Sequence, residues 1–266
     1  MKIIVEKEID ELFFTFLPLF DTMGRHVKGG LAMRIAGLQK CTLLDYPGKV
    51  ACTVFLPGCN FRCPFCHNYE LAESPETLMD SAELLEFLQK RQGLMEGVCI
   101  SGGEPTLQPE LPQLLRAIRD LGFSVKLDTN GYRPEVLRAL LEERLVDYVA
   151  MDIKNGPEDY AATCGLGTVD LGQIEESVRL LLTGETDYEF RTTLCKPLHS
   201  VETIASMAKW LEKISGKRVK RLFLQPFVDR DTVPFAGFSA PEKAELEEYR
   251  QILSVAAEQV TIRGID

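Results

Sequence analysis

No hydrophobic run in this 266-residue sequence is long enough to cross a bilayer: Leu12 to Phe20 contains Thr15 and Pro18, follows Glu8, Asp10 and Glu11, and falls short of the roughly 20 apolar residues required. The basic opening and small-residue end of a secretory signal are missing as well. Basic residues are outnumbered, 30 Lys and Arg against 40 Asp and Glu for a net charge of -10, which argues against an electrostatic partnership with nucleic acid. A protein or a small molecule is the expected partner. There is no HExxH pattern, and His26 and His199 have no partner motif, so hydrolytic metal catalysis lacks support. Nor do the cysteines form a disulfide framework. Three of the eight share one loop, and Cys41, Cys52, Cys99, Cys164 and Cys195 are scattered singly. Cys52 and Cys99 lie in strand-like runs, where a packed thiol is expected. This usage predicts a reducing compartment, the cytoplasm.

What is present is concentrated in Cys59-Asn60-Phe61-Arg62-Cys63-Pro64-Phe65-Cys66-His67-Asn68, where the cysteines follow the spacing C-x3-C-x2-C. Three thiolates in one short loop make a metal site, one ligand short of a closed zinc site or an ordinary iron-sulfur cluster. Spacing alone leaves two readings open. His67 could complete a zinc site, or the loop could hold an iron-sulfur cluster with one coordination position free.

From about Val50 the chain alternates short apolar runs with amphipathic helical stretches, the pattern of βα units around a parallel sheet. The strand candidates are residues 49–56, 97–101, 124–128, 148–153, 188–193 and 221–225, and their continuous apolar character suits strands covered on both faces. Asp80-Ser81-Ala82-Glu83 has the form of a capping box ahead of Leu84, Leu85 and Leu88. Ile174, Val178, Leu181 and Leu182 recur at helical spacing, and helices are also expected over 107–122, 134–143 and 201–214. Ser239-Ala240-Pro241-Glu242 reads as the start of the last helix. Six strands, each followed by a helix, predict an α/β fold: a partial (β/α)6 TIM-like barrel open on one side, since eight units close a full one. A doubly wound sheet uses the same alternation. No repeat, low-complexity tract or long linker divides residues 33–266, which read as a single domain, and residues 1–32 read as an N-terminal extension of uncertain role.

Ligand sites in parallel α/β folds gather at the carboxyl ends of strands, and the polar motifs fall there. The cysteine loop follows the first strand candidate and Ser101-Gly102-Gly103-Glu104-Pro105 the second; Lys126-Leu127-Asp128-Thr129-Asn130-Gly131 ends the third and Met151-Asp152-Ile153-Lys154 the fourth. Each has a plain alternative. The glycine pair could be a tight turn, Asp128 could open an Asx turn, and Asp152 and Lys154 could be a structural ion pair on one strand face. Functionally, Gly102 and Gly103 would let a ligand approach the backbone, and Glu104 offers an acceptor for an ammonium group. Arg191 ends the fifth candidate, where a cofactor-facing role and a packing role are both open.

The cysteine loop resembles that of radical S-adenosylmethionine (radical SAM) enzymes, with Phe65 at a position that is usually aromatic. That resemblance makes Cys59, Cys63 and Cys66 ligands of a 4Fe-4S cluster whose fourth iron is chelated by the methionine part of SAM, and assigns Gly102, Gly103 and Glu104 to the SAM amino group. Within the family the chain is similar to the glycyl-radical-enzyme activating group. Over residues 33–225 it looks like the anaerobic ribonucleoside-triphosphate reductase activating proteins, through Gly37-Leu38-Gln39-Lys40, Leu44-Asp45-Tyr46-Pro47-Gly48-Lys49 and Val149-Ala150-Met151-Asp152-Ile153-Lys154. By the same resemblance Asp128, Thr129 and Asp152 are candidates for a monovalent cation site beside the SAM carboxylate, and Lys154 is a SAM ligand.

The implied activity is reductive cleavage of SAM to methionine and a 5'-deoxyadenosyl radical. That radical would remove a Cα hydrogen from a glycine of a partner glycyl radical enzyme, an anaerobic ribonucleotide reductase, with electrons from a donor such as flavodoxin or ferredoxin. Only residues 69–79 separate the loop from the next helix, too few for the ferredoxin-like insertion of some activators, so a single cluster is expected. The rival readings are a radical SAM enzyme acting on a small molecule, like the carboxy-deazaguanine synthases, and a zinc-binding adaptor without catalysis.

Overall fold

The computed structural model describes residues 33–73 and 76–264, and the extension expected over residues 1–32 lies outside them. Its strands are β1 (Arg34–Ile35), β2 (Gly37–Thr42), β3 (Ala51–Leu56), β4 (Met79–Asp80), β5 (Gly97–Gly102), β6 (Ser124–Thr129), β7 (Tyr148–Asp152), β8 (Asp187–Leu194), β9 (Val219–Pro226) and β10 (Ala257–Ile262). β1 and β4 form a small antiparallel pair. The others make one sheet in the order β10-β9-β8-β7-β6-β5-β3-β2. Neighbours from β3 to β10 run parallel, and β2 joins the far edge antiparallel. Because β2 and β10 end the order without pairing to each other, the sheet is a partial barrel open on one side.

The strands expected from sequence correspond to β3 and to β5 through β9. The two edge strands escaped notice for a physical reason. Gln39, Lys40 and Cys41 of β2 and Glu258 and Gln259 of β10 are exposed, so neither edge has the apolar continuity of a covered strand.

Helices return the chain between the parallel strands. The expected capping box forms: the Glu83 amide donates to Asp80 Oδ1 at 2.9 Å and the Asp80 amide to Glu83 Oε2 at 2.9 Å. Leu84, Leu88, Ile174, Val178 and Leu181 are buried against the sheet. The last helix, Lys243–Leu253, starts later than expected, capped by Glu242, while the Ser239 carbonyl accepts from the Lys196 amide at 2.8 Å in an extended segment. Pro241 explains the delay, because it biases the residue before it away from helical angles. The segment after β5 likewise opens as a short 3-10 turn, Pro105–Leu107, before its helix Leu111–Asp120.

Alternate strand residues take opposite faces. Cys52, Val54, Leu56, Val98, Ile100, Val125, Leu127, Val149, Met151, Phe190, Leu222 and Leu224 are fully buried in the apolar layer shared with the helices. Between them, on the inner face, lie Thr53, Cys99, Lys126, Asp128, Glu189 and Arg191. The central strands are thus covered on both faces, and only the outer cover is apolar. Near one edge Glu189 is almost fully buried, yet it accepts from Arg263 Nη1 and Nη2 at 2.8 and 2.9 Å and from the Tyr148 hydroxyl at 2.8 Å. The Arg263 guanidinium also stacks 3.3 Å from the Phe223 ring, which ties the end of β10 to the sheet. Among the described residues no helix is long and apolar enough to cross a membrane.

Removing one partner of a buried ion pair leaves an uncompensated charge. Arg263→Ala is therefore expected to lower unfolding stability by about 3 kcal/mol, measured by chemical denaturation, whereas a change below about 0.5 kcal/mol would mean that Glu189 is held by Tyr148 alone.

Candidate functional site

A cavity of about 260 Å³ opens at the carboxyl ends of the parallel strands. Cys59, Cys63, Phe65, Cys66, Gly102, Gly103, Asp128, Thr129, Asp152 and Lys154 line it, joined by Arg191. Motifs more than 90 residues apart in sequence therefore meet at one mouth. Glu104 is the expected site residue that does not line it.

The cysteine loop is held mainly by backbone. The Gly103 amide donates to Leu56 O at 3.0 Å and the Glu104 amide to Gly58 O at 2.7 Å, which fastens the end of β5 to the start of the loop. A Cβ on Gly102 would lie 2.2 Å from Leu56 O, and one on Gly103 would lie 1.9 Å from Gly58 O. The glycine pair is thus required for contact between two backbones. Arg62 Nη1 bonds Cys59 O at 2.6 Å and Phe61 O at 2.8 Å, curling the loop on itself, and the Arg62 amide reaches Cys164 O at 2.8 Å. Phe65 is buried edge-on to the rings of His199 and Phe238 at 6.5 and 6.4 Å.

Cys63 is buried, and Cys59 and Cys66 are partly exposed. A hydrogen bond from Cys164 lowers the Cys63 pKa, with Lys154 adding to the effect against the opposing influence of burial. Burial pushes Cys59 up to about 12 and raises Cys66 as well. Among the described residues no three His, Cys, Asp or Glu side chains stand where they could hold a single metal ion together, as a zinc knuckle requires. His67 is engaged elsewhere, with Nε2 2.6 Å from Val228 O and its ring stacked on Phe227. Three thiols at an open mouth suit instead a cluster that spreads its ligands over separate irons.

Below the thiols the inner strand faces carry a ladder of charge. Lys126 pairs with Asp128; Arg191 Nη1 donates to Asp128 Oδ2 at 3.3 Å and Arg191 Nε to Asp152 Oδ1 at 3.1 Å; Lys154 Nζ donates to Asp152 Oδ2 at 2.8 Å. Two carboxylates thus alternate with three cations. Burial works against the charged forms of Asp128, Asp152, Lys154 and Arg191, and their partners outweigh it. Arg191 and Lys126 bring Asp128 down to about 2, Lys154 and Arg191 lower Asp152, and Asp152 with Cys63 holds Lys154 well above the usual lysine range.

Glu104 departs from the expectation that its side chain would accept from an ammonium group. It is fully buried, and its carboxylate accepts from the Thr106 amide at 3.1 Å, Thr129 Oγ1 at 2.8 Å and the Asn130 amide at 2.7 Å. It braces the loops after β5 and β6 against each other. The Asx turn forms at Asn130, whose Oδ1 accepts from the Tyr132 amide at 3.0 Å, and Asp128 stays free for the ladder.

His199 was not legible as a site residue. The Cys195 amide donates to its Nδ1 at 3.1 Å, which makes Nε2 the donor to Lys154 O at 2.9 Å. Burial lowers its pKa, so it serves as a neutral strut behind Lys154 and Phe65. Lys126 did leave a sequence signal, a lysine within an apolar run two residues before Asp128.

Residues 53–211 match the model of the radical SAM superfamily. A putative glycyl-radical enzyme activating enzyme of Methanocaldococcus jannaschii is 30% identical over 239 residues, 87% of this chain and 96% of that protein. A 7-carboxy-7-deazaguanine synthase of Methanopyrus kandleri is 28% identical over 180 residues, 58% of this chain and 70% of that one. Among solved structures, Streptococcus suis SuiB bound to S-adenosylmethionine has a TM-score of 0.57 at 14% identity, a likeness of fold covering 80% of this chain. The chain spans about half the length of SuiB, 52%.

Anaerobic reconstitution is expected to give about four irons per chain and Cys63→Ala close to none, while about eight would require a second cluster. A pH test addresses the ladder. Because the Asp128 pKa is depressed from 3.8 to about 2, its contribution to stability is present above 3.8 and lost as pH falls through about 2. The melting temperature of Asp128→Asn should fall below the parent's at neutral pH, with the gap narrowing at low pH; a gap that stays constant would show the pairing to be without effect.

Proposed function

Because the chain belongs to the radical SAM superfamily, in its glycyl-radical-enzyme activating group, we propose that it reductively cleaves SAM and installs a glycyl radical on a partner enzyme, an anaerobic ribonucleotide reductase. The observation that carries this reading is the convergence of the three-thiol loop and the charge ladder on one open cavity. Membership of the family implies a 4Fe-4S cluster and SAM. Cys59, Cys63 and Cys66 would hold the cluster, the backbone at Gly102 and Gly103 the SAM amino group, and Lys154 the SAM carboxylate. Held there, a reduced cluster would supply the one electron needed to cleave the SAM sulfonium to methionine and a 5'-deoxyadenosyl radical.

The residues of this chain bind and orient. Lys154 is pinned from one side by Asp152 and has ammonium hydrogens left for an anion. His199 fixes the Lys154 backbone, and Glu104 fixes the turn after Asp128. Phe65 closes the loop side of the cavity with an apolar ring. An electron donor of the flavodoxin or ferredoxin kind would reduce the cluster in a reducing cytoplasm.

A protein substrate suits the surroundings of the mouth. Phe235 packs edge-on to Tyr69 at 5.8 Å, and Val228 accepts from His67; both side chains stay half exposed beside the cavity. A glycine backbone, lacking a side chain, can enter a narrow site of this size. The similarity to a 7-carboxy-7-deazaguanine synthase supports a second reading, a small-molecule substrate.

The deciding measurement is electron paramagnetic resonance on the anaerobically reconstituted protein mixed with a candidate partner, SAM and a reductant. A glycine-centred signal with 5'-deoxyadenosine is expected. SAM cleavage that only a small molecule stimulates, with no protein radical, would favour the second reading, and no cleavage under any condition would remove both.

A further inference from the structure

The ion that the resemblance implies does not fit the side chains said to hold it. A monovalent cation needs oxygen ligands with lone pairs turned toward it, and here each aspartate oxygen already faces a protein cation while Thr129 is bonded to its own turn and to Glu104. Thr129 Oγ1 donates to Glu104 at 2.8 Å and accepts from the Gly131 amide at 3.1 Å. One Asp128 oxygen takes Lys126 and the other Arg191 at 3.3 Å, while the Asp152 oxygens take Arg191 at 3.1 Å and Lys154 at 2.8 Å. The Arg191 guanidinium therefore bridges the two aspartates that a shared ion would need as ligands.

Lys126 makes the exchange balance in charge. Its side chain is only 2% exposed, and it reaches Asp128 and, at 3.7 Å, the sulfur of Cys99. Burying an ammonium group is costly unless it is paired, and this one is aimed at a carboxylate of the cofactor cavity. Counting Lys126, Arg191 and Lys154 against Asp128 and Asp152 leaves one positive charge, the match for one bound carboxylate. Arg191 lines the cavity and uses two of its five N–H groups on the aspartates, so its planar fork retains donors for that carboxylate.

Resting on the reading that SAM binds in this cavity, we propose that Lys126 and Arg191 do the work of the monovalent cation. Arg191 donates directly to the methionine carboxylate of SAM, and Lys126 is a positioning residue that holds Asp128 and supplies the unit charge the ion would bring. SAM binding by this chain is then independent of alkali cations.

The test is the dissociation constant of SAM for the anaerobically reconstituted full chain, compared at equal ionic strength between buffers with tetramethylammonium as the only cation and buffers containing sodium or potassium. The constants are expected to agree within about threefold, and a larger gain on adding the alkali cation overturns the proposal. SAM that binds in no buffer would overturn the cofactor reading instead, and this proposal with it. The variant arm uses Lys126→Met, with circular dichroism and iron content verifying fold and loading. Its SAM affinity is expected to drop about tenfold in tetramethylammonium and to recover when potassium is added. An unchanged affinity, or a drop that no alkali cation restores, counts against the role given to Lys126, and should the variant fail to load, the comparison on the parent protein still decides.

Discussion

Charge placed inside a curved sheet must find its opposite there, and this constraint organises the protein from the sheet outward. Lys126 and Asp128 lie on β6, Asp152 on β7 and Arg191 on β8, so the ladder crosses three adjacent strands and is set by their register. Asp152 stands directly opposite Arg191 in the β7–β8 pairing. A slip of one residue in any of these strands would turn its charges into the apolar layer under the helices and expose Leu127, Met151 or Phe190 to the cavity. The penalty for leaving buried charge unpaired and the burial of the outer apolar face therefore specify the same register.

The second organising contact is backbone against backbone. The cysteine loop depends on the sheet through the amides of Gly103 and Glu104, and on the neighbouring βα loop through the Asn130 side chain, which donates to Asn60 Oδ1 at 2.8 Å. Glu104 satisfies two amides and two hydroxyls from two successive loops with one buried carboxylate. The thiols are thus presented by a frame braced from two loops, with Asn60 Nδ2 as its buried atom without a partner, and the bracing limits reorganisation on binding.

What the sequence made readable follows from what each signal reports. Covered strands such as β5 and β7 announce themselves because both neighbours and both faces exclude water, whereas β2 and β10 each have a free edge and exposed residues such as Lys40 and Glu258 that mask them. The cavity-lining motifs were legible because short loops after parallel strands converge whatever their side chains do. The direction of a side chain was not. Glu104 follows the glycine pair into the interior since Gly102 adopts a positive φ of 125° and swings the chain, a turn that residue types alone do not disclose. His199 supports Lys154 from 45 residues away, with no local pattern to mark it, and the partnership of Lys126 with Arg191 exists only once three strands are in register.

The contact made possible by Gly102 and Gly103 also bears on how such a protein can diverge. Since the loop is indexed to the sheet by main-chain atoms, an added methyl at either glycine would collide with Leu56 O or Gly58 O and force a shift, whereas substitutions at the rim do not touch that contact. The cysteine loop and the exposed rim of the cavity are therefore mechanically separable. Lineages can retool the rim, with its Val228 and Phe235, for new targets without renegotiating the position of the sulfurs.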